Sequence, residues 1–107
     1  MVELSSAYNN IASVLSAQAN NSRDRSKMQQ AVTYAEKSTG ILEGLAAGDP
    51  SNAFYWSNLA IDDYNLSVMN GSLGNKSAQQ AYASKSQDAE QHAAKGSTAA
   101  ASPPPQQ

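Results

Sequence analysis

Cysteine is absent from this 107-residue sequence, and histidine occurs once. The absence of cysteine excludes a disulfide framework, a cysteine-ligated zinc or iron–sulfur site and thiol chemistry. Charged residues make up only 15% of the chain, and their formal sum is −2 at pH 7. Because a nearly neutral, slightly acidic chain lacks the basic patch that binds phosphates, we expect no nucleic-acid partner.

Long apolar runs are also missing. No stretch approaches the ~20 apolar residues that span a bilayer. Residues 1–5 lack the basic and apolar regions of a secretory signal. We therefore expect a cytoplasmic protein without a membrane partner. The length allows one domain with a modest core, and is too short for a large multi-domain enzyme.

Glycine divides the rest of the sequence into helical segments. Breaks are predicted at Gly48, at Gly71 with Gly74, and at Gly96. A polar turn at residues 20–25 separates the first two segments. Apolar residues recur with the 3.6-residue period of a helix, and no segment alternates as a strand does. The sequence therefore predicts an all-α fold with four helices.

Capping residues predict where the helices begin. Asp49 is expected to cap the third helix, with Pro50 at its first position. Ser26, followed three residues later by Gln29, is a capping-box start for the second helix. Ser77 is predicted to begin the fourth helix in the same way.

Apolar stripes predict the packed faces. The first helix is expected to bury Leu4, Tyr8, Ile11, Ala12 and Leu15, and the third Trp56, Leu59, Ala60, Leu66 and Met69. The last helix offers little beyond alanines, and such a helix is typical of the end of a helical array. We expect a helical domain over residues 1–96 and a disordered proline-rich tail over residues 97–107.

An internal repeat divides the helical domain into two units. With a shift of 48 residues, residues 34–38 (YAEKS) fall on residues 82–86 (YASKS), and the glycine that ends each unit also aligns. One shift aligns both helices without a gap. Each unit, about 1–48 and about 49–96, is therefore predicted to be an antiparallel helical hairpin, and the two hairpins are predicted to stack.

Four short motifs resemble the tetratricopeptide (TPR) repeat. Residues 8–12 (YNNIA) and 56–60 (WSNLA) resemble its opening, an aromatic followed by an aliphatic and a small residue. Residues 31–38 resemble the small-residue spine of its second helix, and residues 49–52 (DPSN) its junction. The usual period is 34 residues. Here two insertions of seven residues, each close to two helical turns, lengthen the helices while keeping the buried face in phase.

The longer period is similar to TPR arrays of large bacterial proteins, among them arrays downstream of serine/threonine kinase domains. The resemblance covers about residues 4–95. It implies an α-solenoid fragment that acts as a non-catalytic protein–protein interaction module and binds a peptide or partner helix in a shallow groove. The alternative is a C-terminal capping segment of a larger repeat protein, such as a TPR-bearing kinase, whose partners are upstream repeats of the same polypeptide.

The groove face implied by the resemblance carries amides, a serine and two apolar residues. The residues expected to contact a partner are Asn9, Asn10, Ser13, Phe54, Asn58, Ile61 and Asn65. For Phe54 and Ile61 the alternative is packing inside a helix that is apolar all round.

Reactive side chains give little indication of catalysis. His92 has no partner ligands at a useful spacing and is expected to be a solvated helix residue. Asp62-Asp63, the only paired carboxylate, is expected to be a surface pair, because adjacent helix positions diverge by about 100°; the alternative is a site for a basic partner group. Lys37 and Lys85, equivalent in the repeat, favour a shared structural role. We expect no enzymatic activity, cofactor or metal site.

Overall fold

The computed structural model describes the backbone of residues 2–101 and the side chains of residues 3–95. This part of the chain is all-α and contains no strand. Its four helices are α1 (Val2–Ser22), α2 (Arg25–Gly48), α3 (Ala53–Ser72) and α4 (Lys76–Ala101). The predicted fold class is confirmed. None of these helices is long and apolar enough to cross a membrane.

Short connections arrange the helices as two hairpins. Because only two to four residues join consecutive helices, neighbours must run antiparallel. Contacts are most extensive between α1 and α2 and between α3 and α4, and a smaller α2–α3 interface joins the hairpins. The result is an elongated molecule, about 56 × 27 × 20 Å, in which the predicted hairpins stack through α2 and α3.

The helix starts differ from those predicted. Asp24 caps α2, and its carboxylate accepts a hydrogen bond from the Lys27 backbone N–H at 3.1 Å. The predicted start at Ser26 is therefore wrong, since α2 begins at Arg25. The residues before α2 and those before α3 each include several side chains able to cap a helix, and the path of the connection decides which one does so.

The junction between the hairpins shows the same effect. Asn52 caps α3, and its side chain accepts from the Phe54 backbone N–H at 3.0 Å. Asp49 is instead the C-cap of α2, where its N–H donates to the Leu45 carbonyl. The predicted roles of Asp49 and Pro50 are wrong, because the chain needs these residues to reverse direction before α3 begins at Ala53.

Two of the three predicted glycine breaks coincide with helix ends. Gly48 is the last residue of α2. The α3–α4 connection places Gly74 at φ +81°, a conformation that favours glycine. Gly96 does not end α4, which continues to Ala101. The predicted tail therefore overlaps α4 over residues 97–101, and residues 102–107 lie outside the described part of the chain. Ser77 lies inside α4, which starts at Lys76.

The core consists of two clusters of buried apolar residues. The large cluster comprises Ala12, Ala19, Met28, Ala31, Ala35, Leu66, Met69 and Leu73. The small cluster comprises Leu42, Leu59, Ala60 and Ala89, with Trp56 and Leu45 packed at its edge. Alanine supplies much of both clusters, so the helices approach closely and bury little volume per residue.

The buried face of α1 is rotated from the predicted one. Ser5, Ala12 and Ala19, spaced by seven residues, are buried against α2, because small side chains allow the two helices to approach. Leu4 and Ile11 are 43% and 42% exposed. Their predicted place in the core is therefore wrong.

Candidate functional site

Buried polar side chains lie between the two apolar clusters. On α2, Ser38 and Thr39 follow Ala35 of the large cluster, and on α3, Asp62 and Asp63 follow Ala60 of the small cluster. We call Ser38, Thr39, Asp62 and Asp63 the polar layer. The two aspartates are only 3% and 1% exposed.

The expectation of a surface acidic pair is therefore wrong. Adjacent positions on α3 do diverge, as the helical period requires. However, α2 and α4 both pack on α3, so both directions lead into the interior. Asp62 is bonded to Ser38 of α2, while Asp63 lies close to charged groups of α2 and α4.

Asp62 belongs to a hydrogen-bonded chain that crosses three helices. The Ser38 hydroxyl donates to the Asp62 carboxylate, and the Ser38 and Ser5 hydroxyls lie 2.9 Å apart. Burial raises the pKa of Asp62 above its ordinary value, and the hydrogen bond from Ser38 opposes that shift. These hydrogen bonds join the first turn of α1 and the middle of α3 to the middle of α2.

Asp63 has no such support. Its Oδ1 atom is buried and has no hydrogen-bond partner among the described residues. Burial, together with the charges of Glu43 and Asp62, raises the pKa of Asp63 from 3.8 to about 6, and Lys85 acts in the opposite direction. A buried carboxyl oxygen without a hydrogen-bond partner costs folding free energy.

A cavity of about 330 Å³ between α2, α3 and α4 includes Asp63 in its wall. We call it the acidic cavity. Its lining residues are Glu43, Ala47, Trp56, Leu59, Asp63, Lys85, Asp88, Ala89 and His92. Three carboxyl groups thus face one ammonium group, and the remaining wall is apolar apart from His92.

Trp56 and His92 form one side of the acidic cavity. Their rings are stacked, with centroids 4.2 Å apart and planes inclined by 20°. The indole Nε1 donates to the Pro50 carbonyl at 2.7 Å, and His92 Nδ1 lies 2.9 Å from the Asp88 carbonyl oxygen. His92 is exposed, as expected, but its ring also covers Trp56, which is half-buried at the edge of the small cluster.

The two repeat-equivalent lysines occupy equivalent positions. Lys37 Nζ lies 5.5 Å from the Tyr8 ring centroid and 5.4 Å from that of Tyr34. Lys85 Nζ lies 5.4 Å from the centroid of Tyr82. Each lysine therefore covers the tyrosine three residues before it. This agrees with the predicted structural role.

Tyr82 also joins the second hairpin to the first. Its hydroxyl donates to the Glu36 carboxylate at 3.0 Å. Burial and the hydrogen bond to Glu36 together raise the pKa of Tyr82 to about 12. Tyr82 therefore remains protonated as a donor at neutral pH.

The predicted partner-binding residues of α3 lie on its open side. Phe54 and Ile61 are 57% and 56% exposed, so the alternative of core packing is wrong for both. Asn58 and Asn65 are half-buried, and Asn58 Nδ2 donates to the Phe54 carbonyl at 2.8 Å. The exposed apolar set on this side, which we call the α3 stripe, consists of Phe54, Ile61, Tyr64 and Val68.

A groove of about 870 Å³ runs beside the α3 stripe, between α3 and α4. We call it the α3–α4 groove. It is lined by Ser57, Ala60, Ile61, Tyr64, Ser67, Ala83, Ser86, Gln87, Glu90 and Ala93. The Ser67 and Ser86 hydroxyls already donate to the Gln79 and Ala60 carbonyls, respectively. Its walls are thus mostly small or apolar, with Glu90 as the one charged residue among them.

The predicted residues of α1 are not part of this groove. Asn9 is half-buried, and its Oδ1 has no hydrogen-bond partner among the described residues. Asn10 and Ser13 are exposed. Of the predicted set, only Ile61 lines the α3–α4 groove. Sequence reasoning missed the groove because α4 forms one of its two walls, and the lining residues therefore depend on how α3 and α4 pack together.

Sequence reasoning also missed the acidic cavity, although a signal was present. Asp63 stands at the position equivalent to Leu15 in the 48-residue repeat. A carboxylate at a position where the other unit has a packed aliphatic residue is the signal that could have drawn attention to Asp63. No group of three or more metal-ligating side chains able to hold a metal ion occurs in the described part of the chain.

No family model, curated protein or solved structure matches the sequence.

Proposed function

We propose that this protein is a non-catalytic interaction module of the TPR type that binds a partner helix along the α3 stripe and the α3–α4 groove. The observation that carries the proposal is the α3 stripe, whose four large apolar side chains are 49–61% exposed. A contiguous exposed apolar surface beside a groove is typical of a protein-binding site. The TPR type is supported by the 48-residue repeat and the stacked hairpins.

The spacing of the α3 stripe fits a helical partner. Phe54, Ile61 and Val68 are separated by seven residues, and Tyr64 lies three residues after Ile61. This is the pattern of a helix that packs lengthwise on another helix. From Phe54 to Val68 the stripe extends about 21 Å, the length of four helical turns.

The α3–α4 groove favours a helix over an extended peptide. An extended chain presents unpaired backbone groups that need hydrogen-bond partners, whereas a helix satisfies its own. Two of the three serine hydroxyls in the groove are already used within the protein. The small residues Ala60, Ala83 and Ala93 allow close approach. We therefore expect an amphipathic partner helix with a basic residue near Glu90.

Selection from a displayed library of amphipathic helical peptides tests this proposal. We expect enriched peptides with apolar residues at helical spacing, and at least tenfold weaker binding to Ile61→Glu. Val14→Glu is the matched control, because Val14 is also 56% exposed but lies on α1. The proposal is wrong if no helical peptide is enriched, or if both variants bind the selected peptides equally.

One observation favours the alternative that the chain caps a larger repeat array. Leu4, Ile11 and Val14 are 42–56% exposed on one side of α1, where a preceding helix would cover them. Thermal melts at several protein concentrations separate the two functions. If α1 requires cover, a second copy of the chain should provide it, and the melting temperature should rise with protein concentration. Val14→Glu should remove that dependence, whereas Ile61→Glu should not.

A further inference from the structure

We propose that the acidic cavity binds an organic cation, an ammonium or guanidinium group on a short apolar stem, with the charge placed at Asp63. The α3–α4 groove has no lining residue in common with this cavity. The two sites lie on either side of the α3–α4 contact, and this proposal does not depend on the proposed function.

The first support is the unpartnered carboxyl group in the wall. Asp63 is 1% exposed, yet its Oδ1 has no hydrogen-bond partner among the described residues. Buried polar groups in proteins are almost always paired, and buried charges are paired or coordinated. A cation in the cavity would compensate the charge of this carboxylate.

The second support is the charge around the cavity from each helix that borders it. Glu43 comes from α2, Asp62 adjoins Asp63 on α3, and α4 contributes Lys85, Asp88 and His92. Asp62 is already bonded to Ser38. Lys85 lies over the ring of Tyr82 and does not satisfy Asp63 Oδ1. Three carboxyl groups therefore stand against one ammonium group at the lining.

The third support is the shape and chemistry of the remaining wall. Trp56, Leu59, Ala47 and Ala89 offer apolar surface next to the carboxylates. This combination suits a ligand with a cationic end and a hydrocarbon stem. A volume of about 330 Å³ is at the lower end for ligand sites, which selects a small group.

Ionisation of Asp63 agrees with this ligand. Because burial and the charge of Glu43 raise its pKa to about 6, the carboxylate is the main form in an empty cavity above that pH and the neutral acid is the main form below it. A bound cation favours the charged form. Affinity for a cation is therefore expected to fall several-fold when the pH is lowered from 7 to 5.

Trp56 is the only tryptophan in the chain and lines the cavity, so its fluorescence and its indole N–H resonance report on the site. The probes are n-butylammonium and n-butylguanidinium in an amine-free buffer at constant ionic strength, with n-butanol as the neutral control. We expect saturable changes with both cations and none with n-butanol.

Two variants locate the charge. Asp63→Asn keeps the shape but removes the carboxylate, and should weaken cation binding at least tenfold while the protein remains folded and melts no lower. Lys85→Met removes the competing ammonium and should tighten binding several-fold. Glu90→Gln is the control, because Glu90 carries the same charge on α4 outside the cavity; it should bind like the unmodified protein.

A peptide arm identifies the source of the cation. If the natural ligand is a basic side chain, acetyl-Ala-Lys-Ala-amide should bind more tightly than n-butylammonium and displace it. If the site takes only free amines, the peptide should not bind. The peptide with norleucine in place of lysine is the neutral control and should not bind under either alternative. The proposal is wrong if neither fluorescence nor NMR shows saturation with the cations, if n-butanol acts equally, or if Asp63→Asn binds as the unmodified protein does.

Discussion

The two hairpins share one framework but differ at its centre. In both, a lysine covers a tyrosine three residues earlier, and a buried serine follows that lysine at Ser38 and Ser86. At the position where the first hairpin has Leu15, the second has Asp63. Leu15 packs against the large cluster, whereas Asp63 is buried without a partner for Oδ1.

This difference separates scaffold from site. The shared residues have structural roles that any such hairpin requires: they allow close helix packing and cover aromatic rings. The carboxyl group of Asp63 satisfies none of these needs and costs folding free energy. The second hairpin therefore sacrifices stability at a position where the first does not, and that is where a ligand site is expected.

The largest effect is expected from Leu66→Ala. Leu66 is fully buried in the large cluster, where both hairpins meet, so its truncation should lower the free energy of unfolding by about 2–5 kcal/mol. The repeat-equivalent residue, Gln18, is exposed, and Gln18→Ala should change stability by less than about 0.5 kcal/mol. Urea unfolding of both variants measures this; equal losses would contradict the assignment of the core.

Asp63→Leu makes the second hairpin like the first. It should stabilise the protein by roughly 2–3 kcal/mol at neutral pH. The folded state raises the pKa of Asp63 from 3.8 to about 6, and each pKa unit corresponds to about 1.4 kcal/mol. The folded state of the unmodified protein binds this proton more tightly than the unfolded state does. Its stability should therefore fall as pH rises from about 4 to about 6, and then level off.

Thermal unfolding across this pH range tests the sign of the effect. In Asp63→Leu, that decline in stability with rising pH should be reduced, because Asp62 is then the remaining buried aspartate with a raised pKa. Asp88→Asn, at the exposed edge of the same cavity, should leave it in place. A stability that instead increases from pH 4 to 6 in the unmodified protein would contradict a raised pKa of Asp63 as the dominant effect.

A smaller contrast is expected between the equivalent serines. Ser38→Ala should cost about 1–2 kcal/mol, because it leaves the buried Asp62 carboxyl group without its donor. Ser86 donates instead to the Ala60 carbonyl at 2.8 Å, and Ser86→Ala should cost about 1 kcal/mol or less. Only Ser38→Ala should raise the pKa of Asp62 further, which carboxyl NMR titration measures; equal titration in both variants would rule out the Ser38–Asp62 bond.

The smallest effect concerns the lysines. Lys37 lies over two tyrosine rings, so Lys37→Met should lower stability by about 0.5–1 kcal/mol. Lys85 covers one ring and lowers the pKa of Asp63. Lys85→Met should therefore raise the pKa of Asp63 above about 6, whereas Lys37→Met should leave it unchanged. NMR titration distinguishes the two.

The helices and their number could be predicted because they depend on local periodicity. Gly48 is the last residue of α2, and Gly74 adopts the positive φ that glycine allows in the connection after α3. The caps could not be assigned in the same way. Asp24 and Ser26 are both competent caps for α2, as Asp49 and Asn52 are for α3, and the path of each connection selects one of them.

The candidate sites were only partly predictable. The exposed face with Phe54 and Ile61 was predictable in part, because the resemblance placed both residues on the groove face, although packing inside an apolar helix was the alternative. The roles of Leu4 and Ile11 were not, because small residues at Ser5, Ala12 and Ala19 turned a different face of α1 towards α2. The distance between two packed helices depends on residues from both of them, so it cannot be inferred from the sequence of one helix alone.

By itself, the sequence determined four helices, a 48-residue repeat and two antiparallel hairpins, because periodicity, glycine and short connections act over a few neighbouring residues. Only the tertiary structure decided that Asp62 and Asp63 are buried and that Trp56, Asp63 and Lys85 surround one cavity. Burial and pKa depend on what packs against a helix from elsewhere in the chain. Here α2 and α4 together enclose both sides of α3.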